Sequence, residues 1–225
     1  MKGKFCPKCG EETEKFYENL CKDCFLEKIS FLDKIPEEIV IRKCKSCEKF
    51  FYDEKSFKNL EEAVGEMLAR ILEENKIQSI NYRIFENKVN ITLTFRVEDL
   101  EKTEEKKSSL ILKSITCNSC SLKNLGYYQA VLQVRAPENL LEKISQDVEN
   151  FVEFFRNYDA LSFISKFEKQ KKGFDVFIGS KKVAHQIAQN LKRKYKPKIK
   201  ISRKFAGRIK GKKVYRDTIL ISLSD

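Results

Sequence analysis

The sequence predicts an α+β protein of two modules. Residues 1–123 form a cysteine-stapled module with β-hairpins and one long helix; residues 124–225 form a basic module of order β-α-β-β-α-β-β. Three observations carry this. All eight cysteines fall in four Cys-x-x-Cys pairs, Cys6/Cys9, Cys21/Cys24, Cys44/Cys47 and Cys117/Cys120, with none left over. Apolar spacing alternates between the period of two of strands and the three-to-four of helices. Charge divides sharply: residues 1–125 hold 23 Lys+Arg against 23 Asp+Glu, residues 126–225 hold 22 against 10.

Two residues between cysteines let one tight turn aim both sulfurs at a single ion, and two such turns complete a tetrahedral thiolate site. Four pairs therefore imply two structural Zn2+ ions. Nearest-neighbour grouping assigns Cys6, Cys9, Cys21 and Cys24 to one and Cys44, Cys47, Cys117 and Cys120 to the other, in a zinc-ribbon or treble-clef-like arrangement. An interleaved grouping is the competitor. A thioredoxin-like dithiol needs one such pair rather than four. Iron–sulfur runs carry a third close cysteine, and a disulfide framework belongs to secreted domains, whereas Met1-Lys2-Gly3-Lys4-Phe5 has no apolar signal core. Four thiolates leave no open position for water, so the metal is read as structural.

Along the first module, Phe25, Leu26, Ile29, Phe31 and Leu32 predict a short helix near 22–32, with an extended approach to the third pair. Phe57, Leu60, Val64, Met67 or Leu68, Ile71 and Leu72 predict a helix over 57–75, capped by Ser56. Strands follow at 80–84 and 89–97, joined by a turn at Glu86-Asn87-Lys88. The charged run 98–109 reads as a solvated loop, and a strand at 110–116 leads into the fourth pair.

In the second module a strand at 127–135 stops at Pro137, and a helix at 138–157 presents Leu141, Ile144, Val148 and Phe155 on one face. Strands at 161–168 and 174–178 flank Lys171-Lys172-Gly173. A helix at 181–195 follows Gly179-Ser180, and strands at 198–206 and 213–223 are joined by Lys210-Gly211-Lys212.

The chain has 225 residues, is 41% apolar and 35% charged, with a formal charge of +12. The abundance of Lys and Glu fits a thermophile. No apolar run approaches the roughly 18 residues of a membrane span, so a protein of the reducing cytoplasm is expected. Residues 160–225 hold 19 Lys+Arg against 4 Asp+Glu, an imbalance that points to a phosphate partner rather than a solvated face. The candidate RNA-binding residues are Lys181, Lys182, Lys192, Arg193 and Lys196 on the helix, and Lys200, Arg203, Lys204, Arg208, Lys210, Lys212, Lys213 and Arg216 on the hairpin beside it. Free N–H groups at the start of the helix at 181–195 would take a phosphate. No recognition helix or aromatic ribonucleoprotein signature is visible, so structured RNA read by backbone and shape is the better partner. His185, the single histidine, sits on the polar face, and no catalytic set, P-loop or nucleotide-binding glycine motif is present.

The opening Cys6-Pro7-Lys8-Cys9-Gly10, the three later pairs, the strand Tyr127-Tyr128-Gln129-Ala130-Val131-Leu132-Gln133-Val134-Arg135 and the segment Gly173-Phe174-Asp175-Val176-Phe177-Ile178-Gly179-Ser180 resemble the nonsense-mediated-decay-three family. Its eukaryotic members are nuclear-export adapters of the large ribosomal subunit. The family usually has Glu where this chain has Gln129. The resemblance implies a non-enzymatic adapter that binds the intersubunit face of the large subunit during late maturation or recycling. It implies rRNA and ribosomal proteins as partners, the anti-association factor near the zinc domain, and a monomer. Eukaryotic members continue into a translation-factor-like domain and a tail with nuclear signals, so a short archaeal-type member, or a piece of a longer chain, is expected. Two further readings are a zinc-containing RNA-modification or processing protein and a zinc-ribbon translation or transcription adapter that binds protein alone.

Overall fold

The computed structural model describes residues 4–75, 77–209 and 211–223. The chain divides into two compact units, Met1–Ile115 and Thr116–Asp225. Among the described residues no helix is long and apolar enough to cross a membrane.

In the first unit, α1 (Lys22–Lys28) and a 3-10 turn (Leu32–Lys34) precede β1 (Glu38–Cys44). The hairpin β2 (Phe50–Tyr52) and β3 (Lys55–Phe57) leads into α2 (Leu60–Asn75), and β4 (Ser79–Phe85), β5 (Lys88–Val97) and β6 (Leu100–Ile115) complete a six-stranded sheet of order β3-β2-β1-β6-β5-β4. Only β1 and β6 run parallel; their register sets Cys44 opposite Ile115. One sheet face supplies Ile39, Ile41, Val89, Ile91, Leu93, Phe95 and Leu110, which pack on Ala63, Val64, Met67 and Leu68 of α2. Gly65 stands in that helix at a cost of about 1 kcal/mol relative to Ala. A Cβ there would lie 2.6 Å from Tyr82 Oη, whose hydroxyl donates to Glu61 O at 2.9 Å, so the missing side chain admits the β4 tyrosine.

The helix starts later than its apolar spacing predicts. Phe57 and Ser56 belong to β3, and the cap is Asn59, whose Oδ1 accepts from Glu62 N–H at 2.8 Å while the Glu62 carboxylate takes Asn59 Nδ2 and the Lys58 amide. This is a variant of the capping box: Asn59 caps the helix, and Glu62 reaches back to the amide one residue before the cap rather than to that of the cap itself.

The charged run 98–109 is not a loop. From Leu100 it is the first part of β6, paired with β5 throughout. Its alternate residues turn inward and satisfy the irregular backbone between α1 and β1. The Lys102 ammonium donates to Leu26 O and Ile29 O at 2.8 and 2.6 Å. Lys106 donates to Leu32 O and Ile35 O at 3.0 and 2.7 Å. Glu104 accepts from the Phe31 amide, and Ser108 donates to Pro36 O. Apolar periodicity cannot reveal such a strand, because its inward face is made of charges that serve carbonyls rather than a hydrocarbon core.

In the second unit α3 (Asn118–Asn124) is followed by β7 (Ala130–Arg135), α4 (Glu138–Phe155), β8 (Ile164–Gln170), β9 (Gly173–Ile178), α5 (Lys181–Tyr195), β10 (Lys198–Ile209) and β11 (Lys212–Ser222). The sheet order is β10-β11-β7-β9-β8, with β11 and β7 parallel. Alternate residues of the three central strands, among them Leu132, Val176 and Ile219, join Ile144 and Val148 of α4 and Val183, Ile187 and Leu191 of α5 in one core. Both helices therefore lie on one face of the sheet. Pairing of β11 with β7 begins at Asp217, whereas β10 and β11 continue to Ile209↔Lys212. Residues 204–209 and 212–216 thus form a two-stranded arm, bent where the register shifts between Phe205 and Gly207.

Candidate metal centres and nucleic-acid interface

The thiols come together in two groups, Cys6, Cys9, Cys21, Cys24 and Cys44, Cys47, Cys117, Cys120, with the sulfurs of each within 4.8 Å of one another. This is the nearest-neighbour grouping; the interleaved one is excluded. Each group joins one hairpin knuckle to one helix start. In the first hairpin knuckle, Cys6 N–H donates to Glu11 O and Gly10 N–H to Cys6 O, both at 2.8 Å. In the third, Cys44 N–H donates to Lys49 O and Glu48 N–H to Cys44 O, both at 3.0 Å. The second and fourth knuckles sit at the N-termini of α1 and α3. Cys21 and Cys117 are extended residues (φ −65°, ψ 165° and φ −69°, ψ 160°) whose carbonyls accept the first helical bond, from Phe25 and Ser121, each at 2.9 Å. A knuckle, then a helix whose first turn carries the other two ligands, is a treble-clef-like plan used twice.

Parallel pairing explains how the second group closes. The ends of β1 and β6 lie side by side, Lys45 N–H bonds to Ile115 O at 2.8 Å, and Cys117 follows two residues later.

The donor chemistry fits a thiophilic dication. Cys6, Cys21 and Cys24 are buried and Cys9 is exposed; Cys44, Cys117 and Cys120 are buried and Cys47 partly so. The amide of Cys21 donates to Cys6 Sγ at 3.3 Å, and with the Cys9 and Lys8 amides it lowers the Cys6 thiol to about 6 against the pull of burial. Burial and the neighbouring thiols push Cys24 up instead. Four thiolates this close repel one another, and only a bound cation lets all four ionise together. Both groups can hold a metal ion, and an all-sulfur tetrahedral set suits Zn2+.

The candidate RNA-binding residues divide between the two sides of the second sheet. Lys181, Lys182, Lys192, Arg193 and Lys196 are exposed on α5, on the helical side. By strand alternation Arg203, Arg208 and Lys213 share that side of the β10–β11 hairpin, while Lys200, Lys204 and Arg216 face the other. Lys212 is exposed at the arm's end, and Lys210 lies outside the described residues. Among the described residues Lys181, Lys182, Lys192, Lys196, Lys200, Lys204, Arg208, Lys212 and Lys213 carry no ion pair. Arg203 is committed: its Nε donates to Asp217 Oδ1 at 2.9 Å. Arg216 lies over the Tyr128 ring, 4.1 Å from its centroid.

Two expectations about α5 need correction. Its first N–H groups are not all free: Lys181 N–H donates to Gln129 Oε1 at 3.2 Å, and Val183 N–H to its N-cap Ser180 Oγ at 3.4 Å. Nor does His185 belong to the solvated face. Its Nε2 hydrogen-bonds Asp217 Oδ2 at 2.8 Å, tying the helix to β11. Burial alone would raise the Asp217 carboxyl, yet His185 and Arg203 outweigh it and hold that carboxyl below the usual range. Sequence reading missed Asp217, one carboxylate in a basic tail; its isolation among so many cations was the available signal.

Residues 6–124 match the family model described as NMD3, N-terminal domain, and residues 127–223 the model described as NMD3, second domain. No curated protein matches the chain.

Proposed function

The chain belongs to the NMD3 family, a family of ribosome-associated adapters, and from that premise we propose that it binds the large ribosomal subunit during late maturation or recycling. In this reading residues 124–225 hold ribosomal RNA. Residues 1–123 contact ribosomal or factor proteins, the anti-association factor among them. The boundary is taken at 123/124 because Cys117 and Cys120 complete a centre begun by Cys44 and Cys47. Both centres hold structural Zn2+, which shapes the protein-binding module rather than catalysing a reaction. The protein acts by binding, as a cytoplasmic monomer, and not as an enzyme.

The observation that carries this is the run of exposed, uncompensated cations on α5 and on the β10–β11 hairpin. Solvated faces ordinarily interleave the two signs; here carboxylates are absent from the outer side of α5. A polyanion releases its counterions on meeting such a surface, and that release drives association. Lys or Arg heads on one rigid helix and one hairpin match a folded RNA backbone better than a base sequence.

Co-sedimentation with purified large subunits tests it. With about six phosphate contacts, affinity falls about a thousandfold between 50 and 200 mM salt. Lys192→Glu with Arg193→Glu reverses the helical side, and Lys200→Glu with Lys204→Glu the other. The pair that weakens binding identifies the side that meets RNA. Absence of binding by the wild-type protein at low salt rejects the proposal.

A further inference from the structure

Beyond the basic surface, the second unit carries a pocket of about 280 Å3 lined by Phe154, Phe155, Tyr158, Asp159, Lys182 and Gln186. We propose that this pocket takes an unstacked nucleobase from a single-stranded loop, bulge or end of RNA, with Lys182 and its neighbour Lys181 on the flanking phosphate. The inference rests on the reading of α5 as an RNA face and adds a base-contacting site to it.

The pocket is made where α4 ends. The amides of Tyr158 and Asp159 both bond to Phe155 O at 2.9 Å, and this tight turn throws the rings of Phe154 and Tyr158 outward. They are 58% and 77% exposed. Neither belongs to the core cluster, whereas Phe155 packs against it and forms the floor. The Phe154 ring stands 5.2 Å from Phe155, edge-on, and 5.6 Å from Tyr158, tilted by 47°. The walls are held. Asp159 accepts from Ser180 Oγ at 2.6 Å and from the Leu161 amide at 2.8 Å, which pins the turn to the start of α5. Both carboxylate oxygens are thereby occupied within the protein.

The two α5 residues on the rim select the ligand. Lys182 and Gln186 are one helical turn apart, and neither has a partner among the described residues. A wholly apolar side chain from another protein would bury the half-buried Gln186 amide without a hydrogen bond and leave the ammonium without a counter-charge. A nucleotide supplies a flat π-face for the rings, a polar edge for the amide and a phosphate for the lysine. A base inside a duplex cannot reach these rings, so the occupant is unpaired.

The test compares a fluorescent oligouridylate with an abasic strand of equal length and phosphate number, by anisotropy at fixed low salt, using the full chain. The wild-type protein is expected to prefer the base-bearing strand by about ten- to a hundredfold, the effect of one stacked base. Phe154→Ala with Tyr158→Ala, both at exposed positions, abolishes that preference while binding of the abasic strand is unchanged. Tyr158→Trp introduces the sole tryptophan of the chain, and its fluorescence is quenched by the base-bearing strand alone. Equal wild-type affinity for the two strands overturns the pocket and leaves the backbone-binding reading standing. Failure to bind either strand overturns both. A double variant that keeps the base preference but no longer sediments with subunits makes the rings a protein contact and overturns the nucleobase.

Discussion

Glu48 holds in the third knuckle the backbone position that Gly10 holds in the first. Both are left-handed, at φ +58° and +77°, and each closes its turn by donating to the carbonyl of the first cysteine of its pair. Glycine takes that conformation freely; a residue with a Cβ is strained there by about 1–2 kcal/mol. The two centres share a plan but not its cost. Glu48→Gly should therefore stabilise the metal-loaded protein by up to about 1 kcal/mol, the gain being trimmed by the extra freedom of glycine in the unfolded chain. Gly10→Ala should destabilise by a similar amount; nothing lies within 4 Å of a Cβ added there, so the effect is purely backbone strain. Urea midpoints of the two variants, moving in opposite directions, check this.

Native mass spectrometry should find two zinc ions per chain, falling to one in Cys24→Ser and one in Cys117→Ser. The second variant should lose more structure by circular dichroism. Its centre secures the ends of β1 and β6 in the large sheet, whereas the first secures a segment whose described residues form two isolated bridges and a two-turn helix. Equal loss in the two variants would refute that ranking.

Lys102→Met keeps the length of the side chain and removes its charge. The Ile29 carbonyl loses the Lys102 ammonium, the Leu26 carbonyl keeps only the Ile29 amide at 3.2 Å, and Glu104 loses its counter-ion. Each buried group left without a partner costs about 1–3 kcal/mol. We expect 2 kcal/mol or more, roughly, from urea unfolding, against less than about 0.5 kcal/mol for Lys107→Met on the exposed side of the same strand. Similar values for the two would show that β6 is not a capping strand.

Asp217 is 1% exposed and couples His185 on α5 to Arg203 on β10. Its carboxyl is depressed in the folded state. Its contribution is therefore fully present above the unfolded value near 3.9 and is lost as pH falls through the lower folded value. Asp217→Asn should cost roughly 2 kcal/mol at neutral pH, the loss of hydrogen bonds from a buried carboxylate to two part-exposed partners. The difference between wild type and variant should shrink only below about pH 4. Unfolding curves collected from pH 3 to 7 decide it; a difference that vanishes at pH 5 to 6 would assign the effect to another group.

Local chemistry was legible from the residues. Cys-x-x-Cys is a device of four residues, so all eight cysteines that cluster could be named. The helix at 181–195 runs from Lys181 to Tyr195 because Ser180 caps it and its apolar face recurs without a break. Where helix and capping residue competed with a neighbouring hairpin, spacing misled: Phe57 repeats in step with Leu60 and Val64 yet pairs with Phe50 in the sheet. The excess of Lys and Arg beyond residue 160 could be counted, but its division between two sides of a sheet depends on strand register and on the shift at Phe205/Gly207.

Residue type and short spacing alone thus named the cysteine knuckles, the amphipathic helices and the basic half of the chain, since each arises from contacts within a few residues. Folding in three dimensions decided which knuckles share an ion, that Lys102 and Lys106 point inward, and that His185 meets Asp217. Those outcomes rest on pairings between distant strands. A parallel ladder such as β1–β6 forms because it closes a core and satisfies backbone amides, and nothing in the neighbourhood of either strand writes down its partner.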